Sequence, residues 1–369
     1  MPFEPFALEE YQSRWERTVA INLADSSVQC ATLGEWLSPT EIERLGDLGL
    51  FYPEVNGTGV LRERIAALYP GAGPAEVLVT VGAAEANTLA CQALLSPGDE
   101  VVVVTPGYGQ VRGLARIAGC SVHELALDPA DGWRLDLDAL DAMVTSRTRL
   151  VGIVNPNNPT GTILSEPDMD RIVTACARVG AWLHADEVYR GTERDGRPET
   201  PTFWGRYDRL ICTNSLSKAY GLAGLRIGWA VASRDAIEAL WRRHEYVAIA
   251  AAAPSMALAE LAVEEERRAR LLSRQRALAA RGFAVLDAWL AEQSGRFSLT
   301  APAATAIAFV RCHLPVDSVT FAHRVREQAG VLVAPGALLG AEGHLRVTVG
   351  YPPEKVARAL AAIAEVAAG

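Results

Sequence analysis

"RLVGIVNPNNPTG", residues 149–161, begins as an apolar run and ends in a turn punctuated by two prolines. Five apolar or small residues from Leu150 to Val154 are too few for a helix, and the Val and Ile content suits a strand buried on both faces. Five further runs have the same texture: "VLVTVG" (77–82), "DEVVVVTP" (99–106), "AWLHADE" (181–187), "RLICTNS" (209–215) and "LRIGWAVA" (225–232). Between several of them lie segments of helical period, such as "AEANTLACQALL" (84–95) and "EPDMDRIVTACARVG" (166–180). Alternation of this kind predicts an open α/β fold, a mostly parallel sheet flanked by helices, with its sites at the carboxyl ends of the strands.

After about residue 235 the pattern changes to long helical stretches rich in Ala, Arg and Glu, followed by short strands around 304–311 and 343–349 and a closing helix. A chain of 369 residues, 50% hydrophobic, is long enough for two cores. The expected division is a large domain over 46–240 and a smaller α+β domain made of 1–45 with 241–369. The net charge of -9 argues against a nucleic-acid groove or an anionic membrane surface as partner. No apolar run reaches the roughly 18 to 20 residues of a membrane span, and the acidic start "MPFEPFALEEYQSRWER" has no targeting pattern. Six scattered cysteines (Cys30, Cys91, Cys120, Cys176, Cys212, Cys312) without a CxxC pair point to a reducing cytoplasm, and the few dispersed histidines to no metal site.

The strand ends carry the chemistry. Gly82, Ala83 and Ala84 follow the first run at a helix start, where backbone N–H groups can receive a phosphate. Tyr108 stands at the exit of the second, Asn158 in the turn after the third, and Asp186 at the end of the fourth, with Tyr189 three residues on. The fifth runs into "SLSKAYGLAGLRIGW" (215–229), where Lys218 and Arg226 are the only charges among small and apolar neighbours. "GYGQVRG" (107–113), with Glu124 beyond it, also resembles a dinucleotide loop, but Pro106 and the bulk of Tyr108 fit a pyrophosphate turn badly. The individual positions have bland readings too: turn formers at 158–161, a snorkelling lysine at 218, a paired carboxylate at 186. Taken in order they converge on a pyridinium cofactor used as electron sink. Asp186 would keep its ring nitrogen protonated, Asn158 and Tyr189 would bond its ring hydroxyl, and Tyr108 would stack on its face. Ala83, Ala84, Ser215 and Arg226 would meet a phosphate, and Lys218 its aldehyde, as a Schiff base.

"NPTG" (158–161), "ADEVY" (185–189), "SLSK" (215–218) with an arginine eight residues on, and "HLRVTVG" (344–350) resemble the class I/II aminotransferases among the fold type I pyridoxal-phosphate enzymes, from about Tyr52 to Arg346. The resemblance implies a seven-stranded large-domain sheet and pyridoxal 5'-phosphate bound at Lys218. It makes Lys218, Asp186 and Tyr189 the catalytic residues, and Arg346 with Asn158 the binders of an amino-acid substrate. It also implies a cytoplasmic homodimer with shared active sites, Tyr52 of the partner subunit reaching the phosphate.

Two segments depart from that family's pattern. "INLADSSVQCATLGEWL" (21–37) replaces a Gly-Pro-rich loop, and "APAATAIAF" (301–309) a glycine pair before an aromatic. "LADSSV" (23–28) is similar to the capreomycidine-synthase-like subgroup, which implies specialised, natural-product metabolism. Transamination is the first expectation; the alternatives are a β-eliminating C–S lyase, a cyclase or an oxidative deaminase on the same fold. A non-catalytic cofactor-binding regulatory domain is a further reading, disfavoured by the intact lysine.

Overall fold

The computed structural model describes residues 3–293 and 295–369. Its centre is a seven-stranded sheet made of β1 (Val77–Thr80), β2 (Glu100–Thr105), β3 (Ser121–Ala126), β4 (Thr148–Val154), β5 (Trp182–Asp186), β6 (Leu210–Ser215) and β7 (Gly228–Ala232), in the order β1-β7-β6-β5-β4-β2-β3. All pairings are parallel except the two made by β7, which is antiparallel to β6 and to β1. The six expected strands are present. The seventh, β3, is an edge strand with mostly solvated side chains, so its sequence "SVHELA" lacks the apolar run that betrays the others. The reversal of β7 follows from its connection. Residues 216–227 return to the sheet without a crossover helix, and Leu216 N–H bonds Ile227 C=O at 3.0 Å, as a parallel neighbour could not arrange.

Helices lie on both faces. Among them α2 (Gly82–Leu94) and α3 (Glu166–Val179) follow the first and fourth strands, whereas the chain's first helix, α1 (Ala7–Trp15), packs through Leu8 and Tyr11 beside Leu332 and Leu339. Ser165 caps α3 by accepting from Asp168 N–H, and Gly180 ends it with φ 73°, the ordinary stop in the left-handed region. Leu61, Ile65, Met169, Ile172, Phe203 and Trp229 pack on one face of the sheet; Leu89, Leu94, Ile237 and Leu240 cover the other. Burying each such side chain contributes about 1.5–3 kcal/mol.

A second core surrounds a four-stranded antiparallel sheet, β8 (Phe297–Leu299), β9 (Ile307–Cys312), β10 (Ala334–Pro335) and β11 (His344–Thr348), in the order β10-β11-β9-β8. The N-terminal segment joins it, with Ile21–Asn22 pairing in parallel with Val331–Leu332. The 28-residue helix α4 (Glu265–Glu292) ties the two cores together. Its Leu271 and Leu272 belong to the first, its Phe283, Leu286 and Trp289 to the second. None of the described helices is long and apolar enough to cross a membrane.

Candidate active site

The carboxyl ends of β2, β4 and β5 open on one crevice, lined by Val104, Tyr108, Asn157, His184 and Asp186 with Asn87 of α2. Asp186 is the last residue of β5 and is 5% exposed. Its Oδ2 accepts from Asn87 Nδ2 at 3.1 Å and its Oδ1 from Val188 N–H at 3.2 Å. Burial pushes its carboxyl up to about 6, against the opposing pull of those two donors and of the Lys218 charge.

Asn87 is itself fixed from behind. Its Oδ1 receives Thr213 Oγ1 at 2.7 Å and faces His184 Nε2 at 3.0 Å. Because Asn87 turns its amide nitrogen to the carboxylate, Oδ1 is the acceptor and His184 must carry its proton on Nε2. Nδ1 of His184 is left without a partner, as suits an unprotonated nitrogen, and burial drives the ring down to about 4. The imidazole is therefore neutral near pH 7 and orients the amide without adding charge.

Lys218 lies just past the end of β6. Its Nζ donates to Ser26 Oγ at 2.8 Å and Ser27 Oγ at 3.3 Å, so the "LADSSV" segment closes directly over the amine. Arg346, on β11, is 1% exposed. Its guanidinium donates to Asn158 Oδ1 at 3.2 Å, Gln12 Oε1 at 3.2 Å and the Ala24 carbonyl at 2.6 Å, while Nε has no partner. Burial lowers its pKa. Tyr189 is 2% exposed with an unpartnered hydroxyl. Tyr108 packs on Phe6 at 5.0 Å between ring centroids and donates to Glu9 Oε1 at 3.0 Å.

At the start of α2 lies a backbone cup. Gly82 has φ 74°, and a Cβ there would stand 2.5 Å from Arg226 Nη2. A Cβ on Gly228 would meet Ala83 N at 2.3 Å, so only glycine lets β7 pass so close to the first turn of α2. The N-terminus of α2 has no side-chain cap, and its free N–H groups face a place where Arg226 and the hydroxyls of Ser215 and Ser217 gather.

The structure thus brings Lys218, Asp186, Asn158, Tyr108, Tyr189, Ser215, Arg226, Ala83, Ala84 and Arg346 together around the ends of the strands and the start of α2. Tyr52 does not join them within one chain; it is 85% exposed, beside exposed Leu50 and Phe51. Residues missed by sequence reasoning are Asn87, His184, Thr213, Gln12, Ser26 and Ser27. Asn87 left a signal, a lone amide on the buried face of an apolar helix, and His184 another, inside an apolar strand. The rest are joined to the site only by tertiary contact. The residues fit a planar pyridine ring bearing a phosphate: a buried carboxylate to pair with its nitrogen, an orphaned tyrosine hydroxyl to bond its oxygen, and an uncapped helix end beside an arginine to receive the phosphate.

A family model described as aminotransferase class I and II matches residues 21–363. Among curated relatives, a capreomycidine synthase of Streptomyces vinaceus is 35% identical over 83% of this chain and 78% of its own length. An aromatic amino acid aminotransferase of Rhodococcus jostii is 34% identical over 82% and 79%. The crystal structure of a PLP-dependent aminotransferase from Streptococcus suis superposes with a TM-score of 0.93 at 28% identity, covering 99% of this chain and 98% of that one.

Proposed function

The chain belongs to the class I and II aminotransferases, a family of pyridoxal-phosphate-dependent transferases of fold type I, and from that premise we propose that it moves the amino group of an α-amino acid to a keto acid. One observation carries this reading. Ala24 touches Arg346 and Ser26 touches the Lys218 amine, so a carboxylate-binding guanidinium and a nucleophilic amine share one small space, with the carboxylates of Asp25 and Asp186 as neighbouring charges.

In this reading Arg346 pairs with the substrate α-carboxylate, its planar fork already aimed by Asn158, Gln12 and the Ala24 carbonyl. Lys218 would anchor the cofactor, and its amine, once released, would take a proton from the substrate Cα and deliver it two atoms further along, to the carbon that came from the cofactor aldehyde. Bound pyridoxal phosphate supplies the sink for the electron pair left at Cα. Asp186, held by Asn87, would keep the ring-nitrogen proton in place; Tyr189 and Asn158 would bond the ring oxygen, and Tyr108 would stack on the ring. Ala83 and Ala84 N–H, Ser215 and Arg226 would hold the phosphate, completed by Tyr52 of the partner subunit in a homodimer.

A role in specialised metabolism is supported by the likeness to a capreomycidine synthase and by the unusual 21–37 segment. A second reading, elimination or cyclisation, is favoured by one contact. Hydroxyls of Ser26 and Ser27 on the Lys218 amine offer a route by which a proton reaches a departing group. The deciding experiment incubates holoenzyme with 15N-labelled amino acids and either 2-oxoglutarate or pyruvate. Label appearing in glutamate or alanine is expected; ammonia released without need of a keto acid would refute transamination in favour of the second reading.

A further inference from the structure

We propose that Asp25 selects an amino acid whose side chain ends in a cation, an ammonium or a guanidinium; the inference rests on the aminotransferase reading above and names the substrate class of that same site. Asp25 stands between Ala24, whose carbonyl accepts from Arg346 at 2.6 Å, and Ser26, whose hydroxyl accepts from Lys218 at 2.8 Å. Its carboxylate feels both the Lys218 and the Arg346 charge, so it borders the space between the amine and the guanidinium, where the substrate's reacting carbon must lie.

Its own bonding is sparse. Oδ1 accepts from Ser27 N–H at 2.9 Å, and among the described residues no lysine or arginine comes within ion-pair distance of it. Burial pushes its carboxyl up, and the Lys218 charge, the Ser27 N–H and hydroxyl and the Arg346 charge outweigh burial and hold it below the ordinary value. Lys355, the other cation that feels Asp25, lies over the Tyr351 ring at 3.7 Å. Without cofactor and substrate, Asp25 is therefore balanced by two charges that the loaded site does not keep. Lys218 gives up its ammonium charge when it joins the cofactor carbonyl and must be a neutral amine to take the Cα proton, and a substrate α-carboxylate neutralises Arg346. A half-buried carboxylate is then left uncompensated, at a cost, unless the substrate brings a cation. A second carboxylate adds negative charge at the same site: Glu9, exposed to solvent and bound to the Tyr108 hydroxyl, also acts on Arg346. An acidic side chain would meet both.

The test uses three carboxylates that lack an α-amino group and so bind without reacting: 5-guanidinopentanoate, hexanoate and adipate. Calorimetry on the holoenzyme should give 5-guanidinopentanoate a Kd at least tenfold below that of hexanoate, with adipate weakest. Asp25→Asn, which keeps an acceptor for Ser27 N–H, and Asp25→Ser should each bring the guanidino and plain acids to within about twofold of one another. A preference absent from the wild type, or undiminished in both variants, overturns the proposal. Arg346→Ala separates the two readings. If it leaves hexanoate binding intact, the carboxylate site has been misplaced and the aminotransferase geometry fails; if hexanoate binding is lost while no guanidino preference exists, only the Asp25 assignment fails. Binding of none of the three would overturn both.

Discussion

Asp186 makes the apoprotein less stable as the pH rises, and the size of that effect follows from its burial. Its carboxyl stands at about 6 in the folded chain against 3.8 ordinarily. Between those values the folded state holds the proton more firmly than the unfolded one, so stability falls with rising pH. The contribution is fully present below about 3.8 and is lost as the pH passes through about 6. At 1.36 kcal/mol for each pH unit the total loss is about 3 kcal/mol, of which roughly half falls between pH 5 and 8. Asp186→Asn removes the titrating group while keeping an oxygen for one of the two donors, Asn87 Nδ2 or Val188 N–H. Urea unfolding of wild-type and Asp186→Asn apoprotein at several pH values between 5 and 8 isolates the effect, because every other titrating group is common to both. The wild type should lose about 1.5 kcal/mol more than the variant over that range. Adding pyridoxal phosphate should flatten the difference, since a ring N–H beside the carboxylate favours its charged form. Equal slopes for the two apoproteins, or a wild type that gains stability relative to the variant, would refute the account of Asp186 as a carboxylate strained by burial.

Asn87→Ala takes one donor from the Asp186 carboxylate and strands Thr213 Oγ1 and His184 Nε2 at full burial. The apoprotein should lose about 1.5–3 kcal/mol in urea unfolding at pH 8 and less at pH 5, and a loss independent of pH would deny the link to Asp186. Gly228→Ala drives a methyl group into the Ala83 nitrogen and should loosen the cofactor more than tenfold in an equilibrium titration of the apoenzyme. Unchanged affinity would mean that the α2 N-terminus does not form the cup.

Six strands and the residues at their ends were legible in sequence because a strand buried on both faces is apolar along its whole length, and because the chain leaves each strand at a fixed edge of the sheet. That alone puts Ala83, Tyr108, Asn158, Asp186 and Lys218 near one another, however far apart they are in sequence. Family resemblance added Arg346 and the partner's Tyr52, which no periodicity marks. The edge strand Ser121–Ala126 stayed hidden because solvent, not protein, covers most of its side chains. The direction of Gly228–Ala232 was equally hidden, since an apolar run reads the same either way and only the path of the loop before it reverses the strand. Local sequence also cannot say what a polar side chain meets. Ser26 and Ser27 lie 192 and 191 residues from Lys218, and Gln12 lies 334 from Arg346. Hydrogen bonds over such separations exist only once two cores have packed. The sequence by itself determined six of the seven strands of the sheet and, through the family's motifs, the cofactor chemistry; packing of the N-terminal segment over Lys218 decided which groups gather around that amine, because electrostatics depends on distance in space and not along the chain.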